Sequence, residues 1–228
     1  MSESNDISAA LSGDERQELA EKLSSYQDKL KSLAADASAL ERALVQLDIS
    51  ELLLALDEKE HAWNEARTTF NVFIEHEEWQ HAVEACNVMY QAEQPASIVA
   101  LGHGIWLAVT YPISADTSVA MLNHIVDETP ADSDGAAVAA MVGYYIADIR
   151  SNDEEHDSMT FLAKTILGNV AKRHSNVQTQ KEMDAWMFKL ELKDPEIFLP
   201  RLSLVVNSIV EDNWWFDRDD LRARLPVN

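Results

Sequence analysis

Apolar residues between Leu19 and Leu47 recur at alternating steps of four and three, with an alanine at one of the nine positions. This is the spacing of positions a and d in a heptad repeat, and it predicts an amphipathic α-helix with one narrow apolar stripe. A continuous helix over this stretch is roughly 45 Å long, at about 1.5 Å per residue. We call the stripe the heptad seam; it comprises Leu19, Leu23, Tyr26, Leu30, Leu33, Ala37, Leu40, Leu44 and Leu47.

The heptad seam has to be buried against another helix, and two arrangements meet that requirement. The seam pairs with its copy in a second chain, giving a homodimer through residues 19–47, or it folds back on a helix of its own chain. Heptad spacing alone does not distinguish the two. We expect the helix to cover residues 14–48, with Asp14 as its N-cap, after a flexible tail over residues 1–13.

The chain carries a strong excess of negative charge. Its 228 residues include 40 acidic side chains against 18 lysines and arginines, a formal net charge of −22. Such a field repels phosphate backbones and anionic lipids, which argues against direct binding of nucleic acid or a membrane surface. It favours a protein partner with a basic surface, although an acidic surface also serves solubility alone.

Cysteine usage and hydropathy predict a cytoplasmic protein. Cys86 is the only cysteine, so the sequence offers neither a disulfide framework nor a cysteine-based zinc cluster. Residues 1–13 lack the basic and apolar regions of a secretory signal. The longest apolar run, residues 98–113, is broken by residues 102–104 and is too short to span a bilayer.

The fold class predicted for the whole chain is all-α. Amphipathic segments alternate with short loops from residue 50 onwards, which is typical of an antiparallel helical bundle or of stacked helical hairpins. We expect a helical domain over residues 50–228, with a sub-boundary near residue 151, to follow the coiled-coil-like heptad helix. Ser50 is the expected cap of its first helix, and Ser151 or Asn152 that of a later one.

Three later segments give more specific expectations. Residues 136–149 are nearly all apolar and carry a stripe of small residues, which predicts the central buried helix. An N-cap, a proline and an acidic residue follow one another at residues 194–196 and predict a helix start. Pro200 is expected to interrupt that helix, and residues 202–210 have a composition that suits a strand as well as a helix.

Two carboxylate–histidine pairs raise the question of metal chemistry. Glu78 and His81, and Asp153 and His156, are each three residues apart, so each pair shares one helix face, as in di-iron carboxylate bundles. Such a site also needs one inward-facing carboxylate from each of two other helices, and the apolar helices of this chain offer almost none. Both pairs are explained equally well as polar, solvated helix faces. A di-metal carboxylate/histidine enzyme that uses these four residues is therefore the alternative hypothesis, and no cofactor is predicted.

Three consecutive aromatic residues, Trp214, Trp215 and Phe216, stand near the C-terminus. In a helix they cannot all face one core, so at least one is expected to be exposed or covered by another chain. The competing explanation is that they seal one end of the bundle between two helices.

Taken together, these features predict a non-enzymatic interaction module, such as an adaptor, a chaperone or an inhibitor, that binds a basic protein partner. No set of residues predicts a catalytic site. The residues expected at interfaces are those of the heptad seam, with Trp214, Trp215 and Phe216.

Overall fold

A computed structural model of the chain describes residues 12–225. Over this range the chain forms eleven α-helices and contains no β-strand, which confirms the predicted all-α class. No helix within these residues is both long and apolar enough to cross a membrane. The helices are α1 (Gly13–Ser32), α2 (Ala39–Ala55), α3 (Lys59–Glu75), α4 (Trp79–Gln91), α5 (Ser97–Thr110), α6 (Ala115–Glu128), α7 (Asp134–Arg150), α8 (His156–Ser175), α9 (Gln180–Lys189), α10 (Pro195–Val210) and α11 (Arg218–Ala223).

The helices pack mainly in chain order. Each helix from α1 to α8 contacts the next one along the chain, and α10 returns to pack on both α5 and α7. The helices α5 and α7 therefore have neighbours on several sides, and ten residues of each are buried. The predicted central helix over residues 136–149 lies within α7.

Two glycines in α5 allow this close packing. A Cβ atom on Gly102 would lie 2.3 Å from Val210 Cγ2 of α10, and one on Gly104 would lie 2.8 Å from Cys86 Cβ of α4. Real Cβ atoms do not approach other atoms so closely, so α10 and α4 approach α5 only because both positions are glycine. His103 stands between them and is buried.

The prediction of one continuous helix over residues 14–48 is wrong. The chain leaves helical geometry after Ser32, and α2 starts after the N-cap Ser38. The Ser38 hydroxyl accepts a hydrogen bond from the Glu41 main-chain N–H, and the Glu41 carboxylate accepts one from the Ser38 N–H. This capping box starts a new helix inside the heptad pattern. The apolar spacing thus continues across a break between two helices.

Two helix starts near the N-terminus also differ from the prediction. The N-cap of α1 is Ser12, not Asp14, and it forms a capping box with Glu15. Ser50 lies inside α2, where it is buried and its hydroxyl donates to the carbonyl of Leu47 at 2.7 Å. The α2 helix therefore runs across the expected boundary between residues 48 and 50. Of the tail expected over residues 1–13, residues 1–11 lie outside the described part of the chain.

The start of α8 is later than predicted. Asn152 does accept hydrogen bonds from the main-chain N–H groups of Glu154 and Glu155, but these close a turn that precedes the helix. The helix itself begins at His156. The Asn152 side chain thus stabilises the turn before α8 but is not the N-cap of the helix.

The helix α10 runs through Pro200 without a break. Asp194 is its N-cap and Pro195 its first residue, as the sequence predicted. Pro200 removes only the hydrogen bond that its N–H would make to the carbonyl of Glu196, near the helix start. Burial of Leu202, Val206 and Val210 at steps of four holds the rest in helical form, so residues 202–210 are helix and not strand.

Acidic residues, not glycines, occupy the left-handed positions at several helix ends. Asp57, Glu77 and Glu191 follow α2, α3 and α9 with φ of 65°, 60° and 54°. After α2, the N–H of Glu58 donates to the carbonyl of Leu53 at 2.8 Å, and α3 and α9 end in the same way. These are Schellman motifs, which usually have glycine at the left-handed residue.

Candidate functional site

The three consecutive aromatic residues lie in the irregular segment between α10 and α11. Trp214, Trp215 and Phe216 are each half-buried and pack against the hydrophobic core. The Phe216 ring lies 5.3 Å from that of Trp106 in α5, and the Trp215 ring lies 5.6 Å from that of Phe70 in α3. All three face the core because the segment is not helical, which the argument from helical geometry did not anticipate.

His103 fastens this segment to α5. Its Nδ1–H donates to the carbonyl of Val99 at 2.7 Å, which leaves Nε2 to accept a hydrogen bond from the Trp215 main-chain N–H at 3.0 Å. The imidazole also stacks on the indole of Trp215, with ring centroids 4.3 Å apart. Burial lowers the pKa of His103 to about 4, so the ring is neutral near pH 7.

Arginines cover the outer faces of the tryptophans. The Arg67 guanidinium lies 4.3 Å from the ring centroid of Trp215, and that of Arg218 lies 4.0 Å from Trp214. Such cation–π contacts contribute about 0.5–1 kcal/mol each at exposed sites. The Trp215 indole therefore contacts both the His103 imidazole and the Arg67 guanidinium.

The heptad seam is directed towards its own chain. Leu23 and Leu47 are buried, and the other large residues of the seam are partly buried and pack against the same core. Such packing is what the second arrangement predicts, and the homodimer through residues 19–47 stays a prediction. The partly buried residues are Leu19, Tyr26, Leu30, Leu33, Leu40 and Leu44.

The four candidate metal ligands do not form one site. His81 pairs with Glu78 at 3.2 Å, whereas His156 pairs with Asp148 at 3.3 Å. Within residues 12–225 there is no group of three or more histidine, cysteine, aspartate or glutamate side chains placed to hold a metal ion. Asp153 lies in the exposed turn before α8. The di-metal hypothesis therefore lacks its ligand set in the described part of the chain.

A group of carboxylates where α2 and α4 meet was not predicted. It consists of Asp48 and Glu51 on α2 and Glu84 on α4, and we call it the carboxylate cluster. Partial burial raises the pKa of Glu51, and the charges of Glu84 and Asp48 raise it further. Burial also raises the pKa of Asp48. The sequence gives no signal for this cluster, since its members are brought together only by helix packing.

Basic side chains, in contrast, are used inside the fold. Five arginines donate hydrogen bonds to main-chain carbonyls, most of them at the C-terminal ends of helices. Arg150 is the clearest case: its guanidinium donates to the carbonyls of Ala108 at 2.6 Å, Val109 at 3.2 Å and Ile113 at 3.4 Å. Helix C-termini carry partial negative charge, which a cation stabilises. The five residues are Arg16, Arg42, Arg150, Arg173 and Arg201.

Cys86 is buried in α4, and burial raises the pKa of its thiol. The thiolate form, which reacts with electrophiles and binds metals, is therefore disfavoured. Cys86 instead packs closely against Gly104 of α5.

Comparison with known proteins gives no relative: no family model, curated protein or solved structure matches this chain.

Proposed function

We propose that this chain is a non-enzymatic, cytoplasmic protein–protein interaction module that binds a partner with a basic surface. Adaptor, chaperone and inhibitor are roles that such a module fills. The proposal includes no direct contact with nucleic acid and none with a membrane, because a net charge of −22 repels both. The stacked helices act as a scaffold that holds the acidic surface in shape.

The use of arginines inside the fold is the observation that carries this proposal. Five arginines hydrogen-bond to the main chain, and within residues 12–225 Arg201 alone among them also pairs with a carboxylate, that of Asp134 at 3.6 Å. Much of the positive charge is therefore used on main-chain carbonyls and not on surface carboxylates. In the carboxylate cluster, burial raises the pKa of Glu51, repulsion from Glu84 and Asp48 raises it further, and the nearby His81 lowers it. A lysine or arginine of a partner would relieve that repulsion.

The carboxylate cluster supplies the test. We expect tagged wild-type protein to retain a basic protein from source lysate at low ionic strength and to release it at about 0.3 M salt. The triple variant Asp48→Asn/Glu51→Gln/Glu84→Gln should lose this protein. The matched control is Asp153→Asn/Glu154→Gln/Asp157→Asn, which changes the net charge equally at exposed positions before and in the first turn of α8. Binding should then be measured with the purified partner.

Two results would contradict the proposal. One is that nothing is retained at low ionic strength. The other is that the cluster variant and the control variant retain equal amounts, which would mean that net charge acts without a defined site.

The homodimer through residues 19–47 stays a prediction. Because most of the heptad seam packs on its own core, a dimer through this stretch requires α1 to leave α2 or to pair through its outer face. The molar mass from light scattering distinguishes a dimer from a monomer directly.

A further inference from the structure

A broad groove separates α9 from α7 and α8. Its volume is about 730 Å³. The apolar part of its wall comes from α7, α8 and α9 and includes three methionines, at positions 141, 183 and 187, together with Leu167. Methionine is flexible and polarizable, and it is common on surfaces that bind apolar side chains of varied shape. The groove is therefore suited to apolar side chains from outside the molecule.

The charge around the groove is opposite to that of the rest of the chain. Residues 156–193 contain six lysines or arginines and four acidic residues, so this segment has a net charge of +2 and the remainder has −24. Lys164 and Lys193 line the groove itself, where Asp184 is the one acidic residue of its wall. Within residues 12–225, this is a local basic region on an otherwise acidic molecule.

Large exposed apolar side chains stand on both α8 and α9, the helices that border the groove. Phe161 on α8 and Phe188 on α9 are 73% and 78% exposed, and Leu162 is 48% exposed. Exposed phenylalanines on both helices that border a groove are unusual for a surface that contacts only water. Phe161 lies three residues before Lys164 and Phe188 four residues after Asp184, so helical spacing places both phenylalanines on the helix faces that line the groove.

We propose that this groove, which we call the α8–α9 groove, binds an acidic amphipathic helix of a partner protein. Leucine or phenylalanine side chains on one face of that helix enter the groove, as in other helix-in-groove complexes. Acidic side chains on its flanks lie near Lys164 and Lys193. This site does not depend on the carboxylate cluster, and its partner has the opposite charge.

The direct test uses a synthetic helical peptide of about 18 residues, with leucine or phenylalanine at positions i, i+3, i+4 and i+7 and glutamate at the other positions. The comparison peptide has lysine in place of every glutamate. Fluorescence anisotropy with the full chain should give a Kd below about 100 µM for the acidic peptide and at least about tenfold weaker binding for the lysine peptide. The net charge of −22 favours the opposite order, so this preference cannot arise from the overall field.

Gly168 offers a variant that closes the groove without harming the fold. It lines the groove, and a Cβ atom added to it would meet nothing within 4 Å. Gly168→Leu should therefore fill the groove and abolish peptide binding. Gly168→Ala is the matched control and should bind normally. Both substitutions replace a glycine inside a helix, so both should raise the Tm, and a loss of binding in one cannot be attributed to unfolding.

Charge reversal tests the lysines. Lys164→Glu/Lys193→Glu should weaken binding of the acidic peptide by about tenfold or more, whereas Lys22→Glu/Lys31→Glu on α1 should not. The inference is overturned if the lysine peptide binds more tightly, if Gly168→Leu binds the acidic peptide like wild type, or if neither peptide binds at about 1 mM. Two other occupants would also overturn it. One is a fatty acid, shown if dodecanoate binds and neither peptide does; the other is a second copy of the chain, shown if light scattering finds a dimer that Gly168→Leu dissociates.

Discussion

The fold strongly changes the protonation chemistry of His103, which is buried. Its folded pKa of about 4 lies below the value of about 6.5 for an unfolded histidine, so the folded state favours the neutral ring. The stabilisation is complete above about pH 6.5 and is lost as the pH falls through about 4. Its upper size is roughly 3 kcal/mol, because each pKa unit corresponds to about 1.4 kcal/mol.

We therefore expect His103→Gln, which does not titrate, to lower the free energy of unfolding at pH 7 and to have a smaller effect near pH 4.5. Urea unfolding of both proteins at each pH gives the two differences. Carboxylates also titrate over this range, but they do so in both proteins and cancel in the comparison. His61→Gln is the control, since the His61 side chain is 73% exposed. A constant difference between His103→Gln and wild type at both pH values would contradict the prediction.

At the scale of helices, the acidic residues at positive φ make a second prediction. Asp57 ends α2 with a φ of 65°, a conformation that costs a residue with a Cβ atom about 1 kcal/mol. Asp57→Gly removes that strain, and part of the gain is offset by the greater freedom of glycine in the unfolded chain. We expect a net stabilisation of about 0.5 kcal/mol relative to wild type, measured by urea unfolding.

Two comparisons make the Asp57 prediction specific. Asp57→Ala keeps the Cβ atom and should be less stable than Asp57→Gly by about 1 kcal/mol. Glu60→Gly, in the first turn of α3, should destabilise because its φ is helical and glycine gains nothing there. If glycine at position 57 were as harmful as glycine at position 60, backbone strain would not be the cause.

The same helix ends explain which parts of the fold the sequence predicts. Apolar periodicity identifies α7, and the proline and capping signals identify the start of α10, because both depend on local chemistry. The break at residues 33–38 escapes notice because the heptad spacing continues across it. The ends of α2 and α3 escape notice because Asp57 and Glu77 occupy positions where glycine is the usual signal.

The candidate sites were harder to predict than the helices. The bond from Trp215 to His103 joins residues 112 positions apart, and the carboxylate cluster joins two helices that are not consecutive. Neither arrangement has a local motif. Composition does reveal the charge imbalance, but only the structure shows that arginines are drawn to helix ends.

For the molecule as a whole, the negative charge should lower stability. A net charge of −22 repels itself more in the folded state than in the expanded unfolded chain, so added salt should raise the free energy of unfolding. In the carboxylate cluster, burial raises the pKa of Asp48 and of Glu51, and at Glu51 repulsion from Glu84 and Asp48 adds to the cost. For a carboxyl group whose pKa is raised on folding, the cost is present above the folded pKa and is relieved as the pH falls.

Asp48→Asn/Glu51→Gln should therefore stabilise the protein at pH 7, by a few tenths of a kcal/mol because both groups are partly solvated. The gain should shrink in high salt and at low pH, as urea unfolding would show. Asp153→Asn/Glu154→Gln should give a smaller gain, and an equal gain would mean that only net charge matters. If the carboxylate cluster binds the partner, the variant should change stability and binding in opposite directions. Asp48→Asn/Glu51→Gln should raise the free energy of unfolding and weaken binding of the basic partner. Stabilisation without any loss of binding would show that the partner does not contact the carboxylate cluster.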